Sequence, residues 1–408
     1  MKFLLLALSI SLVSCAHSSN AKRELTAPPS QVLNAWLQWE PGQILQARAL
    51  VTLEKCPTME TDAGPVEMNE RSSVQKDFPQ KVCQANLPEK ATTAKIGPLT
   101  LKAKRQINRV VVLGDTGCRL KAGKNGKPGS FQACDDPNQW PFQEVSLSAA
   151  RLNPDLVIHT GDFHYREAPC PPDQKGCQGS SHGYGWKPWD EDFFTPARSL
   201  LTTAPWIFVR GNHEDCRRAG EGWLRYLAPG APQTCTEKIP NFTVDFASHE
   251  MAVVDVASSR ELQLRLSELK ETSKHRWLLI HRPFLTTGST SDFAEKPALA
   301  PVVLTPGQVS LALVGHVHVL SLNQFSDLRP IEMIVGNGGT ALDTSISFMK
   351  KEKGDQWTEF WDFGFLVFDR KGESQWDVAI YNRQGNVHKK CELREFKKKK
   401  SQLKCPSR

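Results

Sequence analysis

The chain has 408 residues, 39% hydrophobic and 23% charged, with a formal net charge of +7. That is ordinary globular composition, long enough for one large domain plus a small one. Part of the positive excess sits in Lys397, Lys398, Lys399 and Lys400, a terminal run that reads as a solvated, mobile end rather than a patch for anionic envelope lipid; nothing else points to nucleic-acid binding.

The chain opens MKFLLLALSISLVSC. One Lys precedes an apolar run, Phe3 to Val13, of signal-peptide length and too short to span a bilayer as a helix. Leu12-Val13-Ser14-Cys15 resembles a bacterial lipoprotein box, and the resemblance implies lipidation at Cys15; the alternative is ordinary cleavage after Ser14-Cys15-Ala16. Either route exports the protein. With Ala16 after the Cys, resemblance to Gram-negative sorting rules implies a lipid anchor in the outer membrane, facing the periplasm. No later segment has the length and apolarity of a transmembrane helix.

Residues 1–15 are thus a signal peptide and lipobox, and polar residues 16–30 a tether. Residues 31–105 hold an amphipathic stretch (VLNAWLQW), an alternating run (ILQARALVTL) and a Pro/Gly-rich middle, expected to form a small, mostly β N-terminal domain. The main domain is expected over 106–395 and a basic tail over 396–408. Without Cys15, ten of the eleven Cys remain, an even number suited to an oxidising compartment. They fall in neighbouring pairs: Cys56/Cys83, Cys118/Cys134, Cys170/Cys177, Cys216/Cys235 and Cys391/Cys405. Sequential pairing is expected, although spacing does not fix connectivity. A zinc ribbon would need CxxC pairs, and there are none.

From Asn108 onward, apolar strands alternate with polar, Gly-containing exits. They are RVVVLGD (109–115), DLVIHTGD (155–162), PWIFVRGN (205–212), RWLLIH (276–281), SLALVGH (310–316) and IEMIVGN (331–337). Helical patterns lie between them, as in PFQEVSLSAARL (141–152) and SSRELQLRLSELK (258–270). Near-continuous apolar strands among helices indicate an α/β sheet. NFTVDF and EMAVVDV alternate as an antiparallel element would, and FGFLVFDRKGESQWDVAIY reads as a β-hairpin.

Five of these strands end in a residue able to bind a metal: Asp115 in GDTG, Asp162 and Tyr165 in GDFHY, Asn212 in GNHE, His281, and His316 and His318 in GHVH. Residues at the carboxyl ends of sheet strands can meet although far apart in sequence. The preceding glycines let the backbone turn sharply and approach a ligand closely. A lone buried Asp or His is usually a hydrogen-bonded structural group; five in succession at the same point of a strand are not.

This ordered set resembles the calcineurin-like metallophosphoesterase superfamily and, more narrowly, its purple acid phosphatase branch. The motifs span residues 109 to 318, about half of the chain. Many members carry Asp-x-His in the first motif; here Asp115-Thr116-Gly117 has no His, and a Tyr-bearing second motif replaces it. The resemblance implies an α/β sandwich of two mixed β-sheets flanked by helices. It implies one metal site from Asp115, Asp162, Tyr165 and His318, and a second from Asp162 as bridge, Asn212, His281 and His316. The hard oxygen donors of the first suit Fe(III); the second suits Fe(II), Zn(II) or Mn(II). Two metals together would activate water, as bound hydroxide, for in-line attack on a phosphomonoester. His213 would bind the phosphate and help protonate the leaving oxygen. A phosphodiesterase or nucleotidase on the same site, and a non-catalytic surface lipoprotein, are the competing readings.

Several neighbours stay open. His164 is a second proton donor or points away from the site. Glu214 would orient His213 from the second shell of residues. Arg210 faces the site or turns from it, His159 reads as a satisfied core histidine, and Asn337 as a turn former. Trp186, Trp189 and Trp223 line a substrate cleft or simply pack a loop. Pairs 118/134, 170/177 and 216/235 each begin soon after a metal motif and would restrain those loops.

Overall fold

A computed structural model of the chain describes residues 31–123, 128–230, 234–257, 262–285, 304, 307–343, 351–397 and 399–406. The expected leader, the tether and Cys15 lie outside the described residues, as do parts of the 258–270 helical pattern and Lys398.

The motif-bearing runs become short parallel strands in two sheets. Arg109–Leu113, Leu156–His159 and Trp206–Phe208 are parallel neighbours in one. His275–Leu279, Leu311–Val314 and Ile331–Val335 are parallel neighbours in the other. Each strand ends before its motif residues, so the motifs occupy the exits. The first set is the middle of an 11-stranded sheet; the second belongs to a 7-stranded sheet. The alternating runs Phe242–Phe246 and His249–Val253 pair antiparallel, and Gly364–Arg370 with Gln375–Asn382 forms the hairpin.

Side-chain alternation along the strands sets the layers. Val110, Val112, Leu156, Ile158 and Ile207 face Trp277, Leu279, Leu311 and Leu313 in one core between the sheets. Val111, Leu113 and Val157 point the other way, onto Phe142, Val145 and Ala149 of the helix Phe142–Arg151 and onto Phe193, Phe194 and Ala197. Leu278, Ile280, Ala312 and Val314 form a third cluster with Leu266 on the outer face of the smaller sheet. The result is a mixed α/β sandwich with few helices and an N-terminal, mostly β region.

That N-terminal region continues the large sheet. The amphipathic stretch is the strand Val32–Glu40, paired parallel to Trp206–Phe208 through Gln38 and Trp206. Ile44–Val51, Lys81–Asn86 and Asn69–Ser72 extend the sheet outward from it. Two buried arginines tie these strands to the helix Gly220–Tyr226, which follows the GNHE motif. Arg48 donates to the carbonyls of Tyr226 and Ala228 and pairs with Glu40. Arg71 donates to the carbonyls of Leu224, Arg225 and Ala228. They satisfy the terminal carbonyls that every helix leaves unpaired.

The C-terminal segment corrects the expectation of a mobile tail. Gln402–Lys404 pairs antiparallel with Val387–Arg394, Cys391–Cys405 closes it, and Lys400 Nζ donates to the carbonyls of Phe325 and Asp327. The pairing strand Gln402–Lys404 lies just beyond the lysine run, and the basic composition of the segment does not announce it. The other disulfides are Cys56–Cys83, Cys118–Cys134, Cys170–Cys177 and Cys216–Cys235.

Candidate metal centre

The exits of both sheets converge on one buried cluster. Asp115, Asp162 and His316 all adopt positive φ, at 53°, 58° and 70°. Non-Gly residues hold this left-handed conformation only where the surroundings over-determine it, and such strain gathers at functional sites. The neighbouring glycines explain how. A Cβ on Gly211 would lie 2.1 Å from the backbone nitrogen and Oδ1 of Asp162, and one on Gly161 would lie 2.6 Å from His281 Nδ1.

Tyr165 is fully enclosed, and its hydroxyl lies 2.8 Å from Asp115 Oδ1, 2.9 Å from Asp162 Oδ2 and 3.0 Å from His318 Nε2. His281 Nε2 lies 3.1 Å from that same Asp162 oxygen and 3.1 Å from Asn212 Oδ1. Donor atoms of Asp162, His281 and His316 all fall within 4.8 Å of one another. The structure thus brings together Asp115, Asp162, Tyr165, Asn212, His281, His316 and His318, with Asp162 common to two groups.

The donor set fits metal ions. His281 Nδ1 is bonded to the Thr160 carbonyl at 2.8 Å, and His318 Nδ1 to that of Ala341 at 3.0 Å. A carbonyl only accepts, so each Nδ1 carries the proton and each Nε2 presents a lone pair. In His281 that lone pair faces two oxygen acceptors, an arrangement that a cation among them would satisfy. This is the carbonyl-backed imidazole usual for metal ligands. Burial, then Asp115 and Asp162, hold the Tyr165 phenol well above its ordinary range. Burial, then Asp162, likewise raise the Asp115 carboxyl. Packed acids of this kind are stabilised as anions by a multivalent cation.

Two buried carboxylates fasten the second motif. Glu214 accepts backbone N–H groups from Asp162, Phe163, His164 and Gly211 at 2.9–3.2 Å. It therefore does not orient His213, as the sequence suggested; it grips the loop. Burial and then Asp162 push its carboxyl up to about 8. Asp192 accepts the backbone N–H groups of Cys118, Tyr165 and Arg166 and pairs with the Arg166 guanidinium.

His213 stacks on the Tyr165 ring with centroids 3.9 Å apart. Its backbone N–H donates to Asp162 Oδ1 at 2.8 Å. Its Nδ1 lies 3.0 Å from Glu167 Oε1 and 2.6 Å from Arg218 Nη2, and Arg218 pairs with Glu167. Nε2 is 3.9 Å from Asp162 Oδ2, turned toward the cluster. Burial, then Arg218, lower the imidazole to about 4. Glu167 and Arg218 were missed from the sequence; Glu167 stands two residues beyond Tyr165, the only local clue.

The remaining candidates are structural. His164 makes no hydrogen bond to a ligand side chain among the described residues; its ring lies beside Tyr184 and Trp189. Of the two readings left open for His164, the structure gives no support to the second proton donor. Its backbone N–H is held by Glu214. Arg210 braces the carbonyls of Glu214 and Thr236 and Asp255. His159 is satisfied by Gly161 N–H and Thr116 Oγ1, and Asn337 donates to the Asp362 carbonyl. Trp189 and Trp223 are buried against Phe163 in an aromatic core, not in a cleft.

Two mixed sheets thus bring Asp, Asn, Tyr and His side chains from their strand exits into one buried cluster. The family model for calcineurin-like phosphoesterases matches residues 108–320, over half of the sequence, and the chain belongs to that family. It is a metal-dependent phosphoric ester hydrolase by that membership. Among solved structures, the fold is similar to a purple acid phosphatase, PPD1, from yellow lupin (Lupinus luteus) seeds, with TM-score 0.59 and 14% identity over 89% of this chain and 74% of that one. It is also similar to PhoD, with TM-score 0.57 and 10% identity over 93% and 94% of the two chains. At these identities the likeness is one of fold. No curated protein matches the chain.

Proposed function

We propose that the chain is an exported, dinuclear-metal phosphatase of the purple acid type that hydrolyses phosphomonoesters. The observation that carries this reading is the Tyr165 hydroxyl within 3.0 Å of Asp115, Asp162 and His318, while His281 shares the same Asp162 oxygen from the other side. Asp115, Asp162, Tyr165 and His318 would hold Fe(III); Asp162, Asn212, His281 and His316 would hold Fe(II), Zn(II) or Mn(II). Bound there, the two ions would supply Lewis-acid charge for the phosphoryl oxygens and lower the pKa of water.

The chain's own residues would do the rest. Thr160 and Ala341 carbonyls fix the ligand tautomers. Glu167 fixes the Nδ1 side of His213, leaving Nε2 to hold a phosphoryl oxygen or give a proton to the leaving oxygen. An imidazole lowered to about 4 carries that proton only in acidic solution, in keeping with an acid phosphatase. Five disulfides fit an oxidising compartment. The MKFLLLALSISLVSC leader supports export and a lipid anchor at Cys15.

The test is metal analysis of the purified protein with hydrolysis of p-nitrophenyl phosphate and its bis-ester compared at pH 5. About two metal ions per chain and preference for the monoester are expected. Absence of metal and of hydrolysis would remove the reading; preference for the bis-ester would replace it by a diesterase.

A further inference from the structure

Beside the cluster, Arg119 is a guanidinium without a carboxylate. Among the described residues no carboxylate oxygen lies within 4.0 Å of it, and its buried Nε has no hydrogen-bond partner. Its nearest contact is His318, where Nη2 lies 3.2 Å from both ring nitrogens. Nδ1 donates to Ala341, so only the Nε2 lone pair, which also faces Tyr165, can accept from Arg119; that neutral contact offsets none of the guanidinium's charge. Asp343 senses the charge of Arg119, but its Oδ2 accepts the His318 backbone N–H. Arg218, by contrast, is neutralised by Glu167. A half-buried cation of this kind is costly to keep without an anion.

The position of Arg119 is nevertheless well fixed. Its N–H donates to Gln132 Oε1 at 3.0 Å and its carbonyl accepts Gln132 N–H at 2.8 Å. Cys118, one residue earlier, is bonded to Cys134 and donates to Asp192. Gln132 Oε1 also accepts Ala341 N–H, linking Arg119 to the segment that sets His318. The guanidinium lies over the Tyr165 ring, 5.3 Å from its centroid.

We propose that Arg119 binds non-bridging oxygens of the substrate's phosphoryl group, and so favours doubly charged monoesters over singly charged diesters. The planar five-donor fork suits two phosphoryl oxygens at once. This assignment rests on the phosphatase reading, and the experiment separates the two. Wild type, Arg119→Met and Arg119→Lys are compared for metal content, for the thermal shift produced by inorganic phosphate and for phosphate inhibition. With Met, metal content and the melting temperature without phosphate should hold, while phosphate affinity falls about 10- to 100-fold and the stabilisation by phosphate shrinks to match. The specificity constant should fall more for p-nitrophenyl phosphate than for its bis-ester, and Lys should recover part of the loss. Unchanged phosphate affinity in the Met variant, or metal loss in both variants, would overturn the role of Arg119 while leaving the phosphatase reading intact. A wild type that takes up no metal and binds no phosphate would overturn that reading, and this assignment with it.

Discussion

The backbone N–H of Tyr165 donates to Oδ2 of Asp192 at 2.7 Å, so Asp192 holds the second motif by its backbone. The same carboxylate takes the N–H of Cys118 at 3.0 Å and pairs with Arg166 at 2.6 Å. One residue from a helical segment thus sets the first and second motifs against each other. Asp192→Ala should strip the buried Arg166 of its closer carboxylate, leaving only Glu191 at 3.1 Å, and cost about 3–5 kcal/mol. Urea denaturation measures this, and Asp192→Asn, which can still accept, should recover part of it. Equal stability in all three proteins would mean that the clamp is incidental.

Tyr165→Phe isolates the phenol. The ring can keep its stack on His213 while losing all three hydroxyl contacts. If the phenolate binds Fe(III), the wild type is coloured and the Phe variant bleached, with less iron retained. A visible spectrum beside an iron assay decides it; a colourless, iron-loaded, active wild type returns Tyr165 to packing.

Glu167 gives a pH signature. Burial alone would raise this carboxyl, but His213 and Arg218 outweigh it and lower it to about 2 from an ordinary 4.5. A depressed carboxyl adds stability that is fully present above its unfolded value and is lost as pH falls through its folded value. The loss should therefore spread over pH 4.5 to 2. Glu167→Gln should flatten that part of the stability curve. Because Glu167 also favours the His213 imidazolium, the variant's rate profile should move to lower pH. Parallel wild-type and variant curves would contradict both expectations.

Arg48 offers a test of the N-terminal strands. Arg48→Met leaves the buried Glu40 without its cation and removes the Arg48 donors to the carbonyls of Tyr226 and Ala228, the latter keeping Arg71, an expected loss of about 3–5 kcal/mol. The double variant Arg48→Met, Glu40→Leu should regain part of it, as a double-mutant cycle would measure. Additive losses would show that the two residues do not act together.

Reduction is a fifth perturbation with a local effect. Cys118–Cys134 closes a sequence separation of 16 right after Asp115, a constraint of about 3 kcal/mol in the chain-entropy model. Cys118→Ser with Cys134→Ser should lower metal occupancy before it unfolds the protein. Full metal content after complete reduction would argue against any role for the cross-links at the centre.

Much of this was legible in the sequence because it repeats. Gly followed by Asp, Asn or His at the end of an apolar strand recurs, and a sheet converts that recurrence into proximity. The alternating and hairpin patterns near the end also kept their pairing. What escaped were single residues whose meaning lies in a distant partner. Asp192 sits in an aromatic-rich segment with no pattern of its own, and Arg218 acquires its role only by folding onto Glu167. Glu214 directly follows His213, yet it bonds to backbone groups some fifty residues away. The joining of Val32–Glu40 to Trp206–Phe208 is likewise long-range pairing that local composition cannot announce.

The left-handed backbone at Asp115, Asp162 and His316 bears on how such a centre could be altered or transplanted. Copying the seven side chains onto another sandwich would not reproduce the geometry unless three hinge residues were also forced into that conformation. It also decides which knock-outs are interpretable. Asn tolerates positive φ far better than β-branched residues do, so Asp→Asn deletes a charge and spares the hinge. Asp→Val would deform the scaffold and remove the ligand in one stroke.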